Sequence, residues 1–308
     1  MKAPELFSEY IWLVNTINNS KQGISLAEIN EKWKRTEMSG GLPYSRATFN
    51  RHKSAIQDIF GLLIECDNKN GHRYYISNKD VLREDSLQQW MINSISVGNM
   101  LSESIALQDR ILLENTPSAS DNFKLIIDAM RNSRLIDITY CRYQHSTAKS
   151  YTVAPYCIKL FRRRWYLLSR FADGGYAVLS IDRIKELSIS EQAFIIDPTF
   201  DATSFFDNCF GVNTSTEYPV TRIVLRAYGW ERYAMHDLPL HNSQRQINKS
   251  DDYIDYELYL RPTSDFVAHI LSRSSWLKVL EPLSLAEKIK EEHLQAARIY
   301  DDIEQGIS

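Results

Sequence analysis

The sequence predicts an α+β protein of several domains: segments of helical period open the chain, period-two segments fill its middle, and strands alternate with helices in its last third. At 308 residues the chain exceeds what one hydrophobic core ordinarily supports, so two or three domains are expected. With 44% hydrophobic and 24% charged residues, its composition is that of an ordinary globular protein.

The first helix is expected from Glu5 to Asn18, where Phe7, Tyr10, Ile11, Val14 and Ile17 recur on one face. Ser25 with Glu28 three residues later is a capping-box signature. It opens a second helix whose stripe is Leu26, Ile29 and Trp33. The segment TEMSGGLPY breaks the pattern, and Ser45 is placed to cap a third helix with Phe49, Ile56, Ile59 and Phe60 on its apolar face. The opposite face carries Arg46, Thr48, Asn50, Arg51 and Lys53, the donor types that reach phosphates and base edges from the major groove. Two short strand-like runs follow around Asp67–Gly71. Asn70-Gly71 is the hairpin signal, and Lys69, His72 and Arg73 lie at or near the tip. Three helices and then a hairpin are the order of a winged helix-turn-helix, so residues 1–82 are expected to bind double-stranded operator DNA. Residues 83–120 read as a helical linker with Trp90, Ile95, Met100, Leu101, Ile105, Leu112 and Leu113, which either joins domains or pairs with its twin in a homodimer.

A short helix around Asn122–Asn132 leads into the middle of the chain. Ile136, Ile138 and Tyr140 alternate there with Asp137, Thr139 and Cys141. Five short strands over about 55 residues favour a small β barrel, since closure removes sheet edges. In FRRRWYLLSRF, alternation puts Arg163, Trp165, Leu167, Ser169 and Phe171 on a core face. Arg162, Arg164, Tyr166, Leu168 and Arg170 then belong outside or at a rim. The last third reads strand, helix, strand, strand, helix, strand, the ferredoxin-like order. A closing amphipathic helix carries Leu285, Ile289, Leu294 and Ile299.

Charge is segregated. Residues 124–185 hold 12 basic against 4 acidic residues, +8, while 186–308 hold 11 against 20, −9. Either the middle meets an anionic partner or the two parts attract. The chain has no phosphate loop, no HExxH and no GxSxG, and Cys66, Cys141, Cys157 and Cys209 lack metal-ligand spacing. Free thiols, no metal and no cofactor are expected. No secretory signal or run of about 18 apolar residues is found, so the expectation is a cytoplasmic protein with no membrane contact.

Arg164-Trp165-Tyr166-Leu167, preceded by Ile136-x-Ile138-x-Tyr140-x-Arg142 and Ala154-Pro155 and followed by Ile181-Asp182-Arg183-Ile184, resembles a WYL domain. The resemblance implies a bacterial transcriptional regulator. Residues 121–197 would form an Sm/SH3-like five-stranded barrel sensing a ligand such as a single-stranded nucleic acid or nucleotide. Residues 198–308 would form the accompanying ferredoxin-like extension, a candidate for dimerisation. Carried over by position, the ligand-facing residues are Tyr140, Arg142, Trp165, Tyr166 and Arg183, and the alternation adds Arg162, Arg164 and Arg170 as a basic rim. Where the family often has a further basic residue, this sequence has Ser180. A constitutive DNA-binding repressor is the alternative. A nucleic-acid-processing enzyme would need clustered carboxylates, and within 124–185 Asp128, Asp137, Asp173 and Asp182 are widely spaced. For Arg183 the competing role is a local ion pair beside Asp182.

Overall fold

The computed structural model describes residues 3–82, 86–103, 120–143 and 147–304. It is a mixed α/β protein with several antiparallel sheets, divided into two compact units, Met1–Glu114 and Asn115–Ser308.

In the first unit, α1 (Ala3–Asn18), α2 (Leu26–Lys34) and α3 (Arg46–Phe60) precede a hairpin of β1 (Ile64–Asp67) and β2 (Arg73–Ile76), and α4 (Leu87–Glu103) closes the described part. The capping box at α2 is complete. Ser25 N–H donates to Glu28 Oε2 at 2.8 Å, and Glu28 N–H to Ser25 Oγ at 3.3 Å. Tyr10, Ile11, Leu13, Val14 and Ile17 of α1 pack with Ile29 and Trp33 of α2 and with Phe49, Ile56 and Phe60 of α3. Ile59, expected on the apolar face of α3, is 37% exposed, and His52 takes the buried position instead. Its ring is fully enclosed, with Nδ1 2.6 Å from the Tyr44 hydroxyl and Nε2 3.5 Å from Glu9 Oε2. Burial, assisted by Arg51, pushes the His52 pKa down to about 4. The ring is therefore neutral, its Nε2 makes no hydrogen bond among the described residues, and edge-on packing against Tyr10 at 5.0 Å joins α3 to α1.

Ile24 forms a β-bridge with Tyr74 through reciprocal backbone bonds of 2.9 and 2.8 Å. Gly23 makes this possible. Its φ is +73°, and a Cβ there would stand 3.0 Å from the Tyr74 carbonyl oxygen. The linker reading of 83–120 is only partly accessible, because 104–119 lie outside the described residues. The first turns of α4 belong to the unit's core: Ile92 is buried and Ile95 half-buried, whereas Trp90 is 46% exposed.

The second unit opens with α5 (Ser120–Arg131). Five strands follow: β3 (Arg134–Tyr140), β4 (Lys149–Phe161), β5 (Arg164–Arg170), β6 (Tyr176–Ser180) and β7 (Ile184–Ala193). They pair antiparallel in the order β6-β5-β4-β3-β7. The ladder does not close as expected for a barrel: β6 and β7, though consecutive, lie at its two ends and are joined by a 3-10 turn at Ile181–Arg183. One face packs Ile136, Ile138, Leu167 and Leu179 against Ile126 and Ala129 of α5. The other is covered by Phe194, Phe200, Phe205 and Phe206, the last two on the short helix α6 (Ala202–Phe206).

The remaining elements are β8 (Thr221–Tyr228), α7 (Glu231–Asp237), β9 (Arg245–Lys249), β10 (Tyr253–Leu260), α8 (Ser264–Ser272), β11 (Leu277–Glu281) and α9 (Leu283–Glu304). The four strands pair antiparallel in the order β11-β8-β10-β9. On α9 the apolar stripe fades, with Leu285 and Ile289 buried but Leu294 43% and Ile299 73% exposed. Among the described residues no helix is long and apolar enough to cross a membrane.

Folded, His52 resists protonation; unfolded, it titrates near 6.5. Stability of the first unit is therefore full above pH 6.5 and falls as the pH drops from there towards 4. Amide exchange of α1 and α3 should accelerate between pH 7 and 5, after correction for the intrinsic rate. A His52→Gln variant should show a smaller change.

Candidate functional site

On α3 the Ser45 hydroxyl caps the helix, accepting from Thr48 N–H at 3.0 Å. With Phe49, His52, Ile56 and Phe60 turned inward, Arg46, Asn50 and Arg51 are exposed, and Thr48 and Lys53 flank the buried stripe. The hairpin tip differs from the two-residue turn expected at Asn70-Gly71. Residues 68–72 form the connection, and Asp67 Oδ1 accepts from Lys69 N–H at 2.9 Å and Asn70 N–H at 3.2 Å. Lys69 and His72 are exposed on this loop. Arg73 is not a tip residue. It begins β2, and its guanidinium donates to the Gln22 and Gly23 carbonyls and to Glu28, bracing the loop before α2.

In the second unit the structure corrects the alternation read from FRRRWYLLSRF. Arg162 and Arg163 form the turn between β4 and β5, with φ of +46° and +67°, and the strand begins only at Arg164. The expected basic rim is dispersed. Arg162 Nη2 donates to His269 Nδ1 at 2.8 Å and lies over the Phe161 and Phe210 rings. His269 is buried, and that burial, aided by Arg273 and Arg162, pushes its pKa down to about 4, so it is the neutral acceptor this bond requires. Arg170 donates to the Tyr156 hydroxyl at 3.0 Å, sits between the Tyr156 and Tyr176 rings, and lies 3.9 Å from Asp197. Leu168, expected outside, is buried with Tyr156 and Phe206.

Arg164 and Arg183 do meet, around a residue that the strand pattern overlooked. Tyr143 lies just past β3 and is 66% exposed. Its hydroxyl accepts from Arg164 Nη1, and its ring stacks under the Arg183 guanidinium at 3.7 Å. Arg183 also donates from Nε and Nη2 to the Cys141 carbonyl at 2.9 and 2.6 Å. The competing role for Arg183, a local ion pair with Asp182, is not seen among the described contacts: Asp182 Oδ2 pairs with Arg164 at 3.1 Å, and its Oδ1 is buried with no hydrogen-bond partner among the described residues. Tyr166 flanks Arg164, and burial raises its phenol pKa while Arg164 opposes the rise. Trp165 faces the core, edge-on to Phe123 at 5.0 Å. The Tyr140 hydroxyl accepts from Ser180 N–H at 3.3 Å. Arg142 lies exposed two residues beyond the end of β3.

Two guanidiniums, an exposed phenol ring and a flanking tyrosine make a small cationic, aromatic surface suited to a planar anion. Among the described residues no group of three or more His, Cys, Asp or Glu side chains is placed to hold a metal ion. The cysteines are free. Cys209 is buried and the other three half-buried, and burial raises the Cys157 pKa to about 11.

These features define a two-unit α/β protein whose second unit carries an arginine–tyrosine cluster on a five-stranded sheet. Residues 121–189 match the family described as WYL domain. Among solved structures the chain is similar to proteasome accessory factor B/C (PafBC) of Arthrobacter aurescens, at 19% identity and a TM-score of 0.40. The match covers 97% of this chain and 47% of that one, so the present chain spans about half its length. A CRISPR Cas-related protein is similar at 13% identity and a TM-score of 0.39, covering 97% of this chain and 78% of that one. Comparison with curated proteins gave no match.

Arg162→Ala would leave the neutral His269 acceptor without its donor in a buried setting, at a cost of about 1–3 kcal/mol. The expected result is a lower thermal midpoint for the second unit with the Arg164–Tyr143–Arg183 cluster intact. Restoration of the midpoint by Arg162→Lys would show that a donor, rather than the guanidinium shape, is what matters.

Proposed function

We propose that the protein is a non-enzymatic, ligand-responsive transcriptional regulator that acts as a cytoplasmic bacterial homodimer on double-stranded operator DNA. Residues 1–82 serve as a winged helix-turn-helix and 83–120 as a connecting helix. Residues 121–197 serve as the sensing WYL domain, of Sm/SH3-like strand order, and 198–308 as a ferredoxin-like extension. The observation that carries the reading is α3, whose Arg46, Asn50 and Arg51 stand exposed opposite a buried stripe, with a hairpin following directly. Ser45, Thr48 and Lys53 contact the backbone at its margins, and Lys69 does so from the hairpin tip.

The effector is an anion with a planar base, a nucleotide or a short single strand. Tyr143 and Tyr166 offer rings, and Arg164 and Arg183 offer charge. Its binding displaces the Arg164–Tyr143 contact and shifts the population of dimers competent for the operator. Arg162 and Arg170, held by His269 and Tyr156, are outside this site.

For DNA selected by the chain from a random duplex library, Arg46→Ala, Arg51→Ala and Lys53→Ala together should abolish the gel shift. Each lost phosphate contact should flatten the log–log salt dependence by about 0.9. Survival of full affinity would remove α3 as the reading helix. Titration with mononucleotides and short oligonucleotides should change operator affinity in the parent chain but not in Tyr143→Ala with Arg183→Ala; no response in the parent would leave a constitutive repressor.

A further inference from the structure

Beyond the arginine–tyrosine cluster, the second unit contains a cleft of about 900 Å³ between the free edge of β6 and the loop after α6. Tyr176, Ala177 and Val178 form one wall, and Cys209, residues 212–217 and Arg261 the other. The backbone of β6 is presented to this cleft in a definite way. Phe171 N–H donates to the Gly175 carbonyl at 2.8 Å, and the register continues Arg170↔Tyr176, Ser169↔Ala177, Leu168↔Val178. Antiparallel alternation then assigns ladder bonds to Ala177 and Leu179, and turns the N–H and C=O of Tyr176 and Val178 outward. Ser180 obeys the same alternation: its outward N–H is taken by the Tyr140 hydroxyl at 3.3 Å, which closes one end of the edge.

Exposed sheet edges are normally blunted by charge. The other ladder ends follow that rule, with Lys185 and Glu186 on β7, Arg245 and Lys249 on β9, and Lys278 and Glu281 on β11. The segment Tyr176–Ser180, YAVLS, carries none. Across the cleft Arg261 is half-buried. Its backbone N–H donates to the Asn208 carbonyl at 2.9 Å and its guanidinium donates from Nη1 to the Tyr218 carbonyl at 2.9 Å, and among the described residues the guanidinium forms no ion pair with a carboxylate. A guanidinium so placed favours an incoming carboxylate.

We propose that this cleft is a peptide-docking site: an extended segment of a partner protein adds a strand to β6 through Tyr176 and Val178, and an Asp or Glu side chain of that segment pairs with Arg261. The inference does not depend on the regulator reading.

The test uses the full chain against a phage-displayed library of random peptides, followed by calorimetric titration of the consensus peptide obtained. Val178→Pro removes an outward N–H and leaves the ladder bonds in place, a change an edge strand tolerates. The expected consensus alternates β-branched residues around an acidic one, and its affinity falls roughly tenfold or more in Val178→Pro and in Arg261→Gln, as loss of a backbone or charged hydrogen bond requires. It is unchanged in Arg183→Ala. Circular dichroism must show Val178→Pro folded; if it is not, peptide N-methylated at alternate residues supplies the same readout against the parent chain. No enrichment over a Val178→Pro control, or binding indifferent to both substitutions and to N-methylation, overturns the proposal. So does a concentration-dependent dimer lost in Val178→Pro with no peptide bound, which would assign the edge to a second copy.

Discussion

The second unit is governed by the burial of the central part of its five-stranded sheet on both faces. α5 covers one side, and the phenylalanines of 194–206 cover the other. Where that second face is covered, the basic side chains on or beside it find an acceptor or a ring as well as water. The result is a series of individual solutions: Arg164 on Asp182, Arg170 on Tyr156, Arg162 on His269, and Lys159 on the Gly211 carbonyl at 2.7 Å. Burial depresses the Lys159 pKa, which is the cost of the last of these.

Contacts between the basic middle and the acidic end include neutral acceptors, the Gly211 carbonyl for Lys159 and His269 for Arg162, and the carboxylate of Asp197 near Arg170. The acids of the last third are engaged by arginines of their own segment: Asp255 by Arg226, Glu257 and Glu281 by Arg222, Glu231 by Arg273. Opposite net charges along a chain therefore say little about which groups touch, because short-range hydrogen bonding decides the partners.

Elements with a strong local signal were legible in the sequence. The capping box at Ser25, the Ser45 cap and the period-two run through Ile136 and Ile138 each depend on neighbours within a few residues. The arginine stretch was not legible, because alternation assumes a strand and nothing local announces that two consecutive arginines will turn the chain at positive φ. His52 was missed for a related reason: a polar residue in a buried stripe is intelligible only once Tyr44 and Glu9 are known to face it. Tyr143 lies in a loop where no periodicity operates, and only proximity to Arg164 and Arg183 gives it meaning.

The turn at Arg162 and Arg163 has a consequence in time. Left-handed backbone at two non-glycine residues costs on the order of 1 kcal/mol or more each, and the bond that helps hold Arg162 comes from His269, 107 positions further along the chain. At a synthesis rate of roughly 5–20 residues per second, β4 and β5 leave the ribosome about 5 to 20 s before that acceptor exists. The hairpin at the centre of the sheet is thus least supported while it is being made, and its final turn is set only once His269 has been synthesised.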